Sequence, residues 1–283
     1  MPEGPEIRIA ADRIERALAG RTARSVRFAF PHLQPFESAL EEEEVVRVET
    51  RGKAMLTLFA NGLAVYSHNQ LYGRWHVGAA GERPATRRTL RLAIENDERA
   101  ALLYSASEIE VLEWAQVGEH PYVRALGPDP LDAALEEGAV ASRLTDARFA
   151  GRALASLLLD QRFLAGVGNY LRAEICFAAG VHPSRRPRDL DSGARERIAA
   201  AALAMCRRSY TTRGITNDPE RAARLRRNGI LRSRYRFQVF ARSGEPCWHC
   251  DATIERAAIG GRRCYWCPEC QPGPAARGLE PTA

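Results

Sequence analysis

The residues best placed to do chemistry stand at the start of the chain, Met1-Pro2-Glu3-Gly4-Pro5-Glu6. An initiator methionine before a small residue is normally removed, which leaves Pro2 first with its secondary amine free. An α-amine titrates near pH ~8, so a useful fraction is neutral and nucleophilic at neutral pH. Glu3 adds a carboxylate one residue on, and an amine nucleophile beside a general acid is a compact catalytic pair. A third candidate comes from a count. Of the 41 basic residues, 40 are arginine and one is lysine, Lys53. Where arginine serves wherever a positive charge suffices, the one lysine suits a task that needs a compact ammonium with rotatable donors and a movable pKa.

A catalytic terminus must be held in place, and the next stretch can hold it. Ile7, Ala10, Ala11, Ile14, Ala17 and Leu18 recur at the helical period, which predicts a helix over 5–19. Pro5 suits the first turn and Gly20 the C-terminal cap. Glu3 then falls just before a helix N-terminus and Glu6 in its first turn.

From residue 22 to about 105 the pattern is β. Short apolar runs fall at 25–30, 45–49, 55–59, 63–67, 74–77, 89–94 and 101–104, with Asn61-Gly62 as a hairpin turn. Such a series predicts a β-sandwich, with Lys53 opening one strand after Arg51-Gly52. The connector Ser67-His68-Asn69-Gln70-Leu71-Tyr72 either buries its Leu71 and Tyr72 or offers them as a wedge. Residues 106–208 read as helical, with helices over 131–144, 152–163 and 193–208 and a Pro/Gly-rich boundary near 120–130. Gly166-Val167-Gly168-Asn169 opens a further helix, and a glycine turn at a helix start suits a phosphate.

Charge is uneven. Residues 184–242 carry 16 arginines and 5 acidic residues, a local +11 in a chain of net +6, so the remainder sums to −5. A basic block of this kind favours a polyanion, most simply nucleic acid. Its last part, 213–236, is low in core residues and reads as a mobile loop.

The strongest local signal is Cys247-x2-Cys250, 16 residues, Cys267-x2-Cys270. Four thiolates close a tetrahedral structural zinc site with no open position; disulfides are the competing use, disfavoured in a cytosolic chain. The segment between reads as a hairpin, 253–259 and 262–266 around Gly260-Gly261, with Arg262 at its tip within reach of a phosphate. Cys176, Cys206, Cys264 and His249 fall outside the knuckles. No apolar run of about 18 residues and no basic leader before an apolar stretch is present, which gives a cytoplasmic, nucleoid-associated expectation.

These parts, in this order, resemble the formamidopyrimidine-DNA glycosylase and endonuclease VIII family of base-excision repair enzymes, and most of all its bacterial endonuclease VIII branch. The resemblance runs from Met1 to Gln271. It rests on the opening Met-Pro-Glu-Gly-Pro-Glu, on Glu49-Thr50-Arg51-Gly52-Lys53, on Tyr66 to Gly73, and on Leu103-Tyr104-Ser105-Ala106-Ser107. It implies a multidomain α+β fold: a leading helix and β-sandwich (1–120), a helical domain with a helix–two-turn–helix motif (121–236), a four-cysteine zinc-ribbon hairpin (237–271) and a disordered tail (272–283). It implies Pro2 as Schiff-base nucleophile, Glu3 as acid, Lys53 as a cation at the sugar and Glu6 in support. Gln70, Leu71 and Tyr72 would fill the gap left by an extruded base. Asn169 and Arg262 would grip the flanking phosphates, and Cys247, Cys250, Cys267 and Cys270 would hold one structural Zn2+. The implied protein is a monomer acting on double-stranded DNA that holds an oxidised base or abasic site. Its activity would be that of a bifunctional glycosylase/AP lyase for oxidised pyrimidines. An oxidised-purine enzyme of the same family, or a non-catalytic zinc-ribbon damage-binding protein, are the alternatives. Residues 215–233 are longer than the family pattern leads one to expect.

Overall fold

The computed structural model describes residues 2–259 and 261–273 and divides into two compact units, Met1–Asp129 and Pro130–Ala283. The expected tail beyond Gly273, and Gly260 of the expected turn, lie outside the described residues.

The first unit is a β-sandwich with a helix at its front. Helix α1, Gly4–Leu18, buries Ile7, Ala11, Ile14, Ala17 and Leu18 along one face, as its spacing requires. One sheet has five antiparallel strands in the order β1 (Arg21–Thr22), β3 (Glu44–Arg51), β4 (Ala54–Phe59), β5 (Leu63–His68), β9 (Glu108–Glu113). The other has four, β2 (Ser25–Phe28), β7 (Leu90–Glu95), β8 (Arg99–Tyr104), β6 (Arg74–Ala79). Their inner faces and α1 share one core, with Val26, Val48, Met55, Phe59, Val65, Ile94 and Leu103 in it. Strand β4 is buried along its whole length because its two faces meet different partners. Met55 and Phe59 face the inner core, whereas Ala54, Leu56 and Leu58 face Val117, Trp114 and Tyr122. Strand β9 corrects the helical reading of residues after 106. Its Glu-rich composition favours helix, but Ile109 and Val111 alternate into the core and the strand pairs with β5.

The second unit is helical with a terminal hairpin. Helices at Glu137–Thr145, Asn169–Ala178 and Ser192–Thr211 surround Leu154, Leu157, Phe163, Leu171, Ile198 and Leu203. The helix expected over 152–163 is a single turn, Leu154–Leu157, followed by turns. Asp160 ends it: its carboxylate accepts from Arg162 N–H and pairs with Arg152 and Arg162, while its carbonyl accepts from Phe163. The basic stretch expected as a mobile loop holds two helices, Pro219–Arg227 and Arg232–Tyr235. Asp218 caps the first by accepting Arg221 N–H at 2.8 Å, and Pro219 opens it. Strands β10 (Glu255–Ile259) and β11 (Arg262–Trp266) form the hairpin. No helix among the described residues is long and apolar enough to cross a membrane.

Candidate active site

The start of α1 is locked. Glu3 is its N-cap, in extended backbone, with its side chain turned toward the first turn in a capping-box arrangement. The Glu6 carboxylate accepts the Glu3 N–H at 3.1 Å, and the Glu3 carbonyl accepts Ile7 N–H at 3.0 Å. Glu3 is 3% exposed and Pro2 half-buried, so the nucleophile candidate precedes a fixed carboxylate. Helix α1 rests on β3 and β4, whose two-residue turn is Gly52-Lys53. Gly52 takes φ 58°, in the left-handed region that a glycine-first hairpin turn requires. Lys53 is thus in the turn, one residue before its strand, and its N–H donates to Tyr122 Oη at 3.0 Å.

The connector after β5 is a built projection. Gly73 N–H bonds back to the Asn69 carbonyl at 2.7 Å, and a Cβ at Gly73 would sit 2.6 Å from Asn69 backbone, so only glycine closes this turn. Leu71 and Tyr72 stand out at 57% and 69% exposure, which settles the wedge-or-core alternative for these side chains in favour of exposure. Gln70 adopts φ 46°, uncommon for a non-glycine residue. Its N–H donates to His68 Nδ1 at 3.2 Å and its amide to Glu108, while Arg88 donates to the Tyr72 carbonyl at 2.6 Å. Glu108 also accepts from Tyr66 Oη at 3.0 Å, tying the projection to the buried strand.

Burial holds His68 below its ordinary pKa, with Lys53 adding to the effect and Glu108 opposing it. Burial pushes the Tyr122 hydroxyl up to about 12, so it remains a donor and acceptor at neutral pH. His68, Arg88, Glu108 and Tyr122 escaped the sequence reading. Most of their partners lie far away in the chain, Glu108 meeting Gln70 across 38 residues and Tyr122 meeting Lys53 across 69, though Glu108 and Glu110, alternating with the core-facing Ile109 and Val111, were a signal of work on the strand's other face.

In the second unit, Gly166 takes φ 81° and Gly168 is the N-cap of the Asn169–Ala178 helix. Gln161 splints this turn, accepting from Gly166 N–H at 3.0 Å and donating to the Val167 carbonyl at 2.9 Å. Asn169 Nδ2 donates to the Arg263 carbonyl at 3.2 Å, which brings it beside the start of β11, where exposed Arg262 lies. The fully buried Arg172 joins them, donating to Asn169 Oδ1 at 2.6 Å, to the Arg263 carbonyl at 2.8 Å and to the Ala155 carbonyl at 2.9 Å. Two charged residues, Arg172 and Glu174, in a helix whose other residues from Leu171 to Ala178 are apolar were a signal that could have singled it out, though not its partners.

The four knuckle sulfurs lie within 4.8 Å of one another. Cys247–Cys270, Cys250–Cys267 and Cys250–Cys270 are 3.9, 3.4 and 3.5 Å apart. A tetrahedral ion with Zn–S bonds of about 2.3 Å separates its sulfurs by about 3.8 Å, so the donor set fits one metal ion. His249 instead packs against Phe177 with ring centroids 5.1 Å apart and the rings tilted, and Cys264 is buried in the core. Cys176 and Cys206 are buried as well.

The structure therefore places Pro2, Glu3, Glu6, Lys53 and Gln70–Leu71–Tyr72 in the first unit. Asn169, Arg262 and the four cysteines fall in the second. Residues 1–106 match the formamidopyrimidine-DNA glycosylase N-terminal domain and residues 126–218 the formamidopyrimidine-DNA glycosylase H2TH domain. The chain belongs to the formamidopyrimidine-DNA glycosylase/endonuclease VIII family, DNA-repair enzymes with glycosylase and AP-lyase activity. Within it, the chain is 47% identical over 271 residues to Endonuclease 8 of Escherichia coli (strain K12 / DH10B) and to that of Klebsiella pneumoniae (strain 342). Each alignment covers 96% of this chain and 100% of the relative. Its fold is that of Lactococcus lactis formamidopyrimidine-DNA glycosylase bound to abasic-site DNA, with a TM-score of 0.78 at 18% identity, over 96% of this chain and 100% of that one. MutM in complex with DNA containing carbocyclic 8-oxo-G gives 0.79 at 20% identity, with the same coverage.

Proposed function

We propose that this chain excises oxidised pyrimidines from double-stranded DNA and cuts the strand at the resulting site through a Schiff base on Pro2. The observation that carries the reading is the locked helix start, with a half-buried Pro2 leading directly into the buried carboxylate of Glu3.

The Pro2 nitrogen attacks C1′ of the extruded nucleotide and loses its proton. The bond from C1′ to the base breaks, and the base leaves with the electron pair and takes up a proton. Glu3 protonates the ring oxygen, the C1′–O4′ bond opens, and the nitrogen lone pair closes the iminium. Because proline is a secondary amine, this iminium carries a fixed positive charge and acidifies the C2′ proton. Loss of that proton expels the 3′ phosphate, and a second elimination expels the 5′ phosphate. Water then releases Pro2. Lys53 lies at the sugar and neighbouring phosphate as a cation, and Glu6 fixes Glu3 by accepting its N–H. Asn169 and Arg262 hold the phosphates on either side, and Gln70, Leu71 and Tyr72 fill the vacated stack. A lesion that pairs and stacks poorly lowers the few kcal/mol that extrusion costs.

The preference for pyrimidines follows from the contiguous Gln70-Leu71-Tyr72 projection together with the likeness to proteins named Endonuclease 8. Cys247, Cys250, Cys267 and Cys270 hold one Zn2+, which supplies cross-linking to a hairpin too small to fold alone; elemental analysis should find one zinc per chain. Borohydride trapping on duplexes holding an oxidised pyrimidine, an oxidised purine or an abasic site tests the whole reading. A covalent adduct through Pro2, formed fastest with the oxidised pyrimidine, is expected. No adduct from a chain verified to begin at Pro2 would sink the lyase assignment, and a purine preference would sink the specificity.

A further inference from the structure

The Pro219–Arg227 helix lies outside both matched family domains, which end at residues 106 and 218. It is nonetheless a firmly anchored element. Its inner face is Arg221, Ala222 and Leu225. Asn217, fully buried just before it, donates to the Tyr235 carbonyl at 2.9 Å and accepts from Asp218 N–H at 2.8 Å. Arg221 donates to the Trp248 carbonyl at 3.1 Å and lies over the Trp248 ring at 5.7 Å, and Arg242 lies over the same ring at 4.0 Å. Trp248 belongs to the first cysteine knuckle, so the helix is fastened to the metal-binding ribbon within one unit.

Its outer face is basic. Arg224, Arg226 and Arg227 are exposed, and none of the three donates to a carboxylate or carbonyl among the described residues. Other surface arginines of the chain do find partners, as Arg148 does on Asp146 and Arg234 on Glu245. Arginines in a last helical turn complement the helix dipole, but that requires neither three of them nor a rigid mount. Arg224 and Arg227 lie three residues apart, hence on one flank and about 4.5 Å apart along the axis. From one flank, two side chains as long as arginine can both reach phosphates of one strand.

We infer that this helix is an additional, sequence-independent binding surface for the phosphate backbone of duplex DNA, carried by Arg224 and Arg227 and mounted on the ribbon through Trp248. The inference rests on the DNA-directed reading above, but it has its own test. An undamaged duplex is titrated with the full-length, metal-loaded protein at several salt concentrations. Each phosphate that the protein ceases to neutralise lowers the slope of log K against log salt by about 0.9. The Arg224→Ala/Arg227→Ala double variant should therefore be shallower by about 2 and bind on the order of 30-fold more weakly at ~0.15 M salt. Arg13→Ala/Arg99→Ala, the same charge change on the first unit, should leave the slope as it is. Ala223→Arg adds a guanidinium on the exposed side and should steepen the slope by about 1, a gain that no folding defect can produce. An unchanged slope in the first variant, or an equal fall in the control, overturns the inference; the first result would leave the patch to an acidic protein partner. Borohydride trapping by the parent protein reports separately on the Pro2 chemistry, so failure of one reading does not resemble failure of the other.

Discussion

Replacing Glu174 by glutamine should unfold the second unit at a much lower temperature, although the two side chains differ by one atom's identity. Glu174 is fully buried in the Asn169–Ala178 helix. Its Oε1 accepts Val239 N–H at 2.9 Å and Phe240 N–H at 3.0 Å, while Oε2 accepts Gln238 N–H at 2.9 Å and the Thr216 hydroxyl at 2.6 Å. The carboxylate thus pins both ends of the segment that carries the basic helix. A glutamine has one acceptor and one donor terminus. Set with its NH2 at Oε2, it faces the Gln238 N–H and orphans it; set the other way, it orphans two N–H groups. An unsatisfied buried donor costs about 1–3 kcal/mol, and a hydrogen bond to a charged group contributes about 1.5–3. The better of the two orientations therefore loses about 3–5 kcal/mol. The Glu174 charge also favours the buried Arg242 cation, but that loss is limited because Arg242 keeps Glu245 at 3.0 Å. At about 2–4 °C per kcal/mol for a unit of this size, the melting temperature should fall by roughly 6–20 °C. Calorimetry of the full chain reads this directly. Thr216→Val, which removes one donor, should cost clearly less, about 1–2 kcal/mol. A Glu174→Gln protein within ~1 kcal/mol of the parent would refute the accounting, since it would mean that the three N–H groups are satisfied without the carboxylate.

Glu3→Gln keeps an oxygen for the capping arrangement but removes the transferable proton. Single-turnover excision of an oxidised pyrimidine should fall by about 10²-fold or more, with much less loss on a preformed abasic site, whose hemiacetal ring opens in water without the protein's acid; equal losses on both substrates would argue against a ring-opening acid. His68 gives a pH signature. Its folded pKa is depressed, so below its ordinary value of about 6.5 the unfolded chain takes up the proton first. Its contribution to stability is present above that pH and is lost as pH falls through the folded pKa. Protonation also fills Nδ1, the atom that accepts Gln70 N–H, so the projection loosens over the same range. Melting temperatures across pH 5 to 8 should fall less steeply on the acid side for His68→Gln than for the parent; parallel curves would remove His68 from the account.

What the sequence disclosed, and what it hid, divides along a physical line. Pro2, Glu3, Lys53 and the four cysteines could be singled out as candidates because the chemistry proposed for them resides in residue type, rarity and close spacing. The sandwich was legible because its strands are short apolar runs divided by turn residues, and Asn61 does hold its turn, accepting Leu63 N–H at 3.1 Å. Strand β9 was hidden because glutamate and leucine prefer helix in isolation, and only pairing with β5 overrides that preference. The basic helix was hidden for the opposite reason. Asp218 and Pro219 signal a helix start, but a segment with so few core residues offers no apolar stripe, and its inward face is completed by an arginine lying on a tryptophan of the ribbon. The partners of Glu174 and Arg172 could not be assigned without the fold, since Glu174 meets Gln238 across 64 residues and Arg172 meets Arg263 across 91. These long-range polar links hold Asn169, the ribbon hairpin and the basic helix in one unit. The motifs name the groups proposed to react and bind, while residues that no motif names determine whether those groups are held in position.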